Sequence, residues 1–289
     1  MNNANIIKDA LVSVVIPTYN RAGIIKHCLD TVVKQTYDNL EIIVVDDCSS
    51  DNTQEVVMSY NDDRIIYVRL DKNRRACYAR NYGANISHGE YIAFQDSDDT
   101  WSLDKIEKQV KVLEESNADV VFCGMTRTEG KESFYFPRYN VDVHNDFLAQ
   151  ELVRNAISTQ TIMLRREVMD KCQFDVAFRK YQDWDFGIQL AIHYGIAYIN
   201  ESLAVSNILE DSISTKMAHY DAMSQIYDKY KDIIEENPKV SAQCNERLGD
   251  CFRMNDSKRA KNFYKKSLKK HYSNKVFIKF MISLFGIKR

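Results

Sequence analysis

The strongest constraint on this chain is a series of apolar, β-branched runs that each end on polar or acidic residues. Residues 11–16 (LVSVVI), 40–45 (LEIIVV), 64–69 (RIIYVR) and 90–94 (EYIAF) read as buried strands, with a fifth at 119–124. Between them the apolar residues return at helical spacing. Ile24, Ile25, Cys28, Leu29, Val32 and Val33 share one side of a segment over 23–35. Further helices are expected over 52–60, capped by Ser49, Ser50 or Asp51, and over 74–87 and 103–115. Strand and helix in strict alternation predict an α/β fold with a doubly wound, mostly parallel sheet. The first strand is expected to stop at Pro17, whose nitrogen has no hydrogen to give a ladder.

The later part is less regular. Residues 126–160 read as loops with a short helix near 146–154, followed by a strand at 159–164, a helix at 183–194 and a last strand at 196–206. From about 217 onward the pattern is helical and charged. Residues 253–289 carry twelve Lys or Arg and one acid, Asp256, while the rest holds 27 bases and 40 acids, a balance of −13. This divides the chain into a domain at 1–215 and a basic helical C-terminal extension at 216–289. The acidic body argues against nucleic-acid binding, and the basic tail suggests an anionic partner.

Seven cysteines without a CxxC pair argue for reduced thiols and a cytoplasmic setting, and against a structural zinc site. No apolar run is long enough to span a membrane, and the first ten residues do not read as a signal peptide. Only nine glycines occur and none forms G-x-G-x-x-G, which excludes an ordinary dinucleotide-dependent dehydrogenase and leaves no glycine-rich phosphate loop for a sugar-nucleotide pyrophosphorylase.

In open α/β sheets ligands bind at the carboxyl ends of the strands. The polar clusters fall there: 17–21 after the first strand, Asp46-Asp47 after the second, and Asp96-Ser97-Asp98-Asp99 after the fourth. Three neighbouring carboxylates repel one another unless a cation or hydrogen bonds relieve them. Oxygen ligands select hard ions, so Mn²⁺ or Mg²⁺ is the expected cofactor. One aspartate would suffice to cap the helix that follows, which leaves two without that explanation. For Asp46-Asp47 a turn or capping role is the simpler reading.

Five segments together resemble inverting glycosyltransferases of family 2, with the GT-A fold. They are Val14-Val15-Ile16-Pro17-Thr18-Tyr19-Asn20-Arg21, Val44-Val45-Asp46-Asp47-Cys48-Ser49-Ser50-Asp51, Asn73 through Ala79-Arg80-Asn81, Asp96-Ser97-Asp98-Asp99 with Trp101, and Gln182-Asp183-Trp184-Asp185. The resemblance spans 11–190 and does not cover the tail. It implies a UDP-sugar donor, with Pro17, Tyr19 and Arg21 lining the nucleotide site and Asp47 on the uracil ring. It places Arg80 near the base or diphosphate and Asp96 and Asp98 on ribose and donor sugar. Asp98 or Asp99 would hold the metal, with Asp98 preferred because the D-x-D spacing ends there. Asp183 would be the catalytic base, taking the acceptor hydroxyl's proton. A helix N-cap is the other reading of Asp183, and Trp184 either stacks on a sugar or fills the core.

Departures from the family pattern are Arg75 where glycine is frequent, Gln182 where glutamate is common and Gln189 where arginine is common. No Q-x-x-R-W motif occurs, which argues against a processive synthase. The resemblance places His219 where some relatives have a metal-binding or lid residue, and Ser212, Ser214 and Lys216 could likewise close over the diphosphate. The implied activity is transfer of a hexose or N-acetylhexosamine to a saccharide or lipid-linked saccharide, in surface polysaccharide or glycoconjugate assembly. The alternatives are a polyprenyl phosphate acceptor, or a non-catalytic nucleotide-sugar-binding protein. Residues 276–285 (VFIKFMISLF), flanked by Lys275 and Lys288, could lie in an anionic membrane surface, making the protein cytoplasmic or peripheral at the inner face.

Overall fold

The computed structural model describes residues 9–130, 132–207, 219–254 and 256–284. Strand β1 (Val12–Thr18) is flanked by β2 (Leu40–Asp46) and β4 (Tyr91–Phe94), both parallel to it. Every residue of these three strands is buried, so they read as continuous apolar runs and not as alternating ones. β3 (Ile65–Arg69) joins β2 in parallel and is partly exposed. Beyond β4 the sheet continues through β8 (Ile162–Arg165), β6 (Val120–Glu129), β9 (Ile196–Asn207) and β5 (Thr100–Trp101), while β7 (Glu132–Phe136) pairs with β6. Among the described residues this is a nine-stranded sheet. β1, β2, β3, β4, β6 and β9 share one direction, and β5, β7 and β8 run against it.

Helices α1 (Ile25–Val33), α2 (Thr53–Met58), α3 (Arg75–Ile86) and α4 (Lys105–Glu115) follow the first four parallel strands in the expected alternation. α1 buries Ile25, Cys28, Leu29 and Val32, the stripe that its spacing predicts. α3 lies close on the sheet because Gly83 has no side chain there. A Cβ at Gly83 would stand 2.5 Å from Val15 Cγ1 and 3.0 Å from Val45 Cγ2. α6 (Gln182–His193) buries Trp184, Phe186, Ile188 and Leu190. Trp184 is 1% exposed, so it fills the core and offers no face to a sugar.

Three local differences from the sequence expectations have physical causes. β1 runs through Pro17 to Thr18. Its neighbour β4 ends at Phe94, opposite Val15, so beyond that point β1 is paired on one side only and the missing N–H is tolerated. Residues 126–129 form the outer part of β6 and 132–136 form β7, not loop. Their side chains are half-exposed, so no apolar run marks them. Residues 159–161 form a 3₁₀ turn ahead of β8, and not its first residues.

The chain divides into two units. The first, residues 1–145, 156–177 and 182–209, holds the sheet. The second comprises 146–155, 178–181 and 210–289. It contains α5 (Phe147–Val153), α7 (His219–Lys229), α8 (Lys231–Glu236), α9 (Pro238–Phe252), α10 (Ser257–Lys270) and α11 (Asn274–Leu284). α9 starts where the Asn237 side chain accepts the N–H groups of Lys239 and Val240, with Pro238 in the first turn, where its missing N–H costs nothing. α10 is capped by Asp256 and buries Ala260, Tyr264 and Ser267. The Tyr264 hydroxyl donates to Asp250 at 2.9 Å, which ties α10 to α9. The boundary expected at 215/216, together with Ser212, Ser214 and Lys216, lies outside the described residues. In the described residues no helix is long and apolar enough to cross a membrane.

Candidate active site

The carboxyl ends of β1 and β2 are joined by a ladder of polar bonds. Asn20 N–H donates to Ser49 Oγ at 2.8 Å, Ser50 N–H to Asn20 Oδ1 at 2.8 Å, Arg21 N–H to Thr53 Oγ1 at 2.9 Å and Ala22 N–H to Asp51 Oδ2 at 3.0 Å. Asn20 (φ 52°) and Cys48 (φ 69°) both adopt the left-handed region to make these turns. Pro17 is buried beneath the ladder, while Tyr19 above it is 45% exposed.

The two neighbouring aspartates of β2 have different tasks. Asp46 is fully buried and accepts from Ser49 N–H at 2.8 Å and from the Tyr67 hydroxyl. Asp47 accepts the N–H groups of Arg74 and Arg75, both at 2.6 Å, one on each oxygen. Burial pushes its carboxyl above the usual carboxylate range, and these two bonds oppose the rise. Arg75 holds φ at 72°, which explains why glycine is frequent at this position in the family pattern. Asp47 thus fixes the turn that starts α3.

Past β4, Asp96, Asp98 and Asp99 lie together but face different partners. Asp96 Oδ1 accepts from Arg80 NH2 at 2.5 Å. Arg80, only 6% exposed, also donates through NH1 to Gln182 Oε1 at 3.2 Å and stands 5.2 Å from the Phe174 ring. Asp99 is 3% exposed, and its Oδ2 accepts from Gln160 Nε2 at 2.6 Å. Asp98, with a side chain 27% exposed, faces Arg21 NH2 at 3.7 Å. Burial, then the charge of Asp96, raises the Asp98 carboxyl. Asp99 is pushed well above the usual range by burial, then by Asp96 and Asp98.

This donor set fits a hard divalent cation. The oxygens are carboxylate oxygens, and their mutual repulsion would be relieved by a positive ion. Among the described residues no three His, Cys, Asp or Glu side chains form a cage by themselves.

Asp183 lies in the first turn of α6, half-buried, and its Oδ1 accepts the Trp184 N–H at 2.9 Å. Asp185 is fully buried and accepts from Gln189 Nε2 at 2.8 Å. The same Gln189 nitrogen reaches the Gln173 carbonyl at 3.0 Å, so the glutamine found in place of arginine is a packing bridge. The route from Asp96 through Arg80 to Gln182 brings the start of α6 to the acidic cluster. His219 lies in the helical unit, where its Nδ1 is 2.8 Å from the Tyr181 hydroxyl.

Sequence reasoning missed three participants: Gln160 behind Asp99, Gln182 as a partner of Arg80, and the two amides on Asp47. Gln160 carried no signal, because it falls in a segment read as plain strand. The φ of Arg75 could have been suspected from the glycine it replaces.

A polar ladder and a carboxylate cluster thus lie at the carboxyl edge of a mixed α/β sheet, where folds of this class bind their ligands. The crystal structure of S. aureus TarS 1-349 in complex with UDP-GlcNAc has this GT-A-type architecture, with a TM-score of 0.70, 18% identity, and coverage of 95% of this chain and 87% of that one. The profile of glycosyl transferase family 2 matches residues 13–187, and the chain belongs to that family. It is 31% identical over 211 residues to the putative teichuronic acid biosynthesis glycosyltransferase TuaG of Bacillus subtilis (strain 168), covering 71% of this chain and 82% of the relative. It is 28% identical over 241 residues to the UDP-Glc:alpha-D-GlcNAc-diphosphoundecaprenol beta-1,3-glucosyltransferase WfgD of Escherichia coli, covering 80% and 88%.

Proposed function

We propose that this chain is an inverting, metal-dependent glycosyltransferase that moves a hexose or N-acetylhexosamine from a UDP-sugar to a saccharide or lipid-linked saccharide acceptor in surface polysaccharide or glycoconjugate assembly. The observation that carries it is the acidic cluster after β4, with Asp98 open beside Arg21 and Asp96 joined through Arg80 to the helix that bears Asp183. The likeness to TuaG, a putative teichuronic acid biosynthesis glycosyltransferase, supports a role in polysaccharide building, and the likeness to WfgD supports the UDP donor and a diphospholipid-linked acceptor.

In this reading residues 1–215 are the catalytic domain and 216–289 its extension. Tyr19 covers the base, and Pro17 and Arg21 line the nucleotide site. Asp47 reaches the uracil ring through lone pairs not used by the turn it fixes. Asp96 and Asp98 meet the ribose and the donor sugar. Asp98, with Asp99 behind it, would hold Mn²⁺ or Mg²⁺, which would supply positive charge for a leaving diphosphate. Arg80 acts from beneath, holding Asp96 in place. The Asp183 carboxylate takes the proton of the acceptor hydroxyl as that oxygen attacks the anomeric carbon. The protein works on the cytoplasmic side, with its basic extension against an anionic membrane surface.

A panel of nucleotide sugars, scored for metal-dependent hydrolysis and for the anomeric configuration of the product, tests the proposal. Turnover of one UDP-sugar with an inverted product is expected. A retained anomer, or a preference for a non-uridine donor, would overturn it.

A further inference from the structure

The helical unit contains a cavity of about 460 Å³ bordered by Phe252, Phe263, Arg259, Lys265, Lys266 and Lys269. Its apolar wall is a stacked pair, Phe252 and Phe263, with centroids 5.5 Å apart and planes 6° from parallel. Arg259 lies 5.3 Å from the Phe252 ring and Lys266 lies 5.3 Å from the Phe263 ring, so two cations are drawn to the same wall. Asn262 and Ser224 add uncharged hydrogen-bonding groups to the border.

The charge around this void is of one sign. Three lysines of the unit are held by carboxylates away from it: Lys270 pairs with Glu235, Lys275 with Glu246 at 3.2 Å, and Lys279 with Glu246 at 2.7 Å and Asp250 at 2.6 Å. At the cavity only Arg259 has an acid, the capping Asp256 at 3.4 Å. Among the described residues Lys265, Lys266 and Lys269 have no carboxylate within ion-pairing distance. Cations gathered around one void repel one another unless an anion enters. The same unit exposes Phe277, Ile278 and Leu284 on α11, apolar groups of the kind that enter a lipid interface.

We infer that this cavity is a phosphate-binding site for the headgroup of an anionic membrane lipid. Lys265, Lys266 and Lys269 supply the charge, and Asn262 and Ser224 supply neutral hydrogen bonds. The inference deepens the membrane contact proposed above and rests on it, while it stands apart from the catalytic reading, so its test needs no activity.

The test compares the full chain with Lys266→Gln/Lys269→Gln and with Lys258→Gln/Lys261→Gln. The second variant removes the same charge from the same helix outside the cavity border. All three are sedimented with phosphatidylglycerol vesicles and with phosphatidylcholine vesicles, and titrated with pyrophosphate. Thermal melting checks that each variant is folded. The native chain is expected to bind the anionic vesicles, with pyrophosphate displacing it. The cavity variant is expected to lose about tenfold or more in affinity, and the control less than about threefold. Equal losses in the two variants would show diffuse charge and overturn the site. Equal binding to both vesicles, or pyrophosphate binding without vesicle binding, would overturn the lipid assignment.

Discussion

Arg80 donates to Asp96 at 2.5 Å from a position almost closed to solvent, and this contact organises the acidic cluster. The guanidinium is a fork, and its other arm holds Gln182 at the head of α6. A lysine has one point of charge and cannot serve both. Arg80→Lys is expected to lower kcat/KM for the donor by about tenfold or more, and Arg80→Met to cost in addition about 2–4 kcal/mol of stability in urea unfolding, since it leaves Asp96 without its counter-charge. Unchanged stability and turnover in Arg80→Met would show that the contact organises nothing.

Lys105 gives the fold a pH dependence. Its Nζ is fully buried, bonded to Gln109 Oε1 at 2.6 Å and 3.8 Å from the Trp101 ring centroid. Burial pulls its pKa down to about 8 from 10.5. Below about pH 8 the ammonium is charged in both states, and the full penalty, about 3 kcal/mol, burdens the fold. Between 8 and 10.5 the unfolded chain binds more protons than the folded one, so stability contributed at this site rises with pH. Lys105→Met is expected to stabilise the protein by about 1–2 kcal/mol at neutral pH, after the lost contacts are discounted, and to flatten the rise. Denaturant midpoints at several pH values check this.

Arg75 is a reservoir of backbone strain beside the site. It holds φ at 72° so that its N–H and that of Arg74 can both reach Asp47. Arg75→Gly relieves the left-handed backbone and is expected to raise stability by about 0.5–1 kcal/mol, while Arg75→Ala is expected to give no gain. Equal responses of the two variants in thermal melting would contradict the strain.

The frame of this site was readable because its strands are buried on both faces. β1, β2 and β4 carry unbroken apolar runs, and the polar residues that follow each run fall at the ligand edge. The β6–β7 hairpin was not readable, because half-exposed strands such as 132–136 mix polar and aromatic residues without a run. Pro17 misled for a related reason: whether its missing N–H matters depends on where β4 stops, which its own segment does not record. Within the site, sequence placed the carboxylates but not their partners. Gln160 sits 61 residues from Asp99 and Gln182 sits 102 from Arg80, and such pairings follow from the closed fold and not from local pattern.

Asp98 and Asp183 carry the central claim, and exchanging each for asparagine keeps shape while removing charge. The most direct measurement is Mn²⁺-dependent turnover of the accepted UDP-sugar by the native chain, Asp98→Asn and Asp183→Asn, with donor binding measured alongside. The account predicts that chelating the metal abolishes native turnover. Asp98→Asn should lose both turnover, by about 100-fold or more, and the metal's effect on donor binding. Asp183→Asn should lose turnover by about 100-fold or more while binding donor as the native chain does. Turnover that is indifferent to the metal and to both substitutions would contradict the account and leave the family fold without this chemistry.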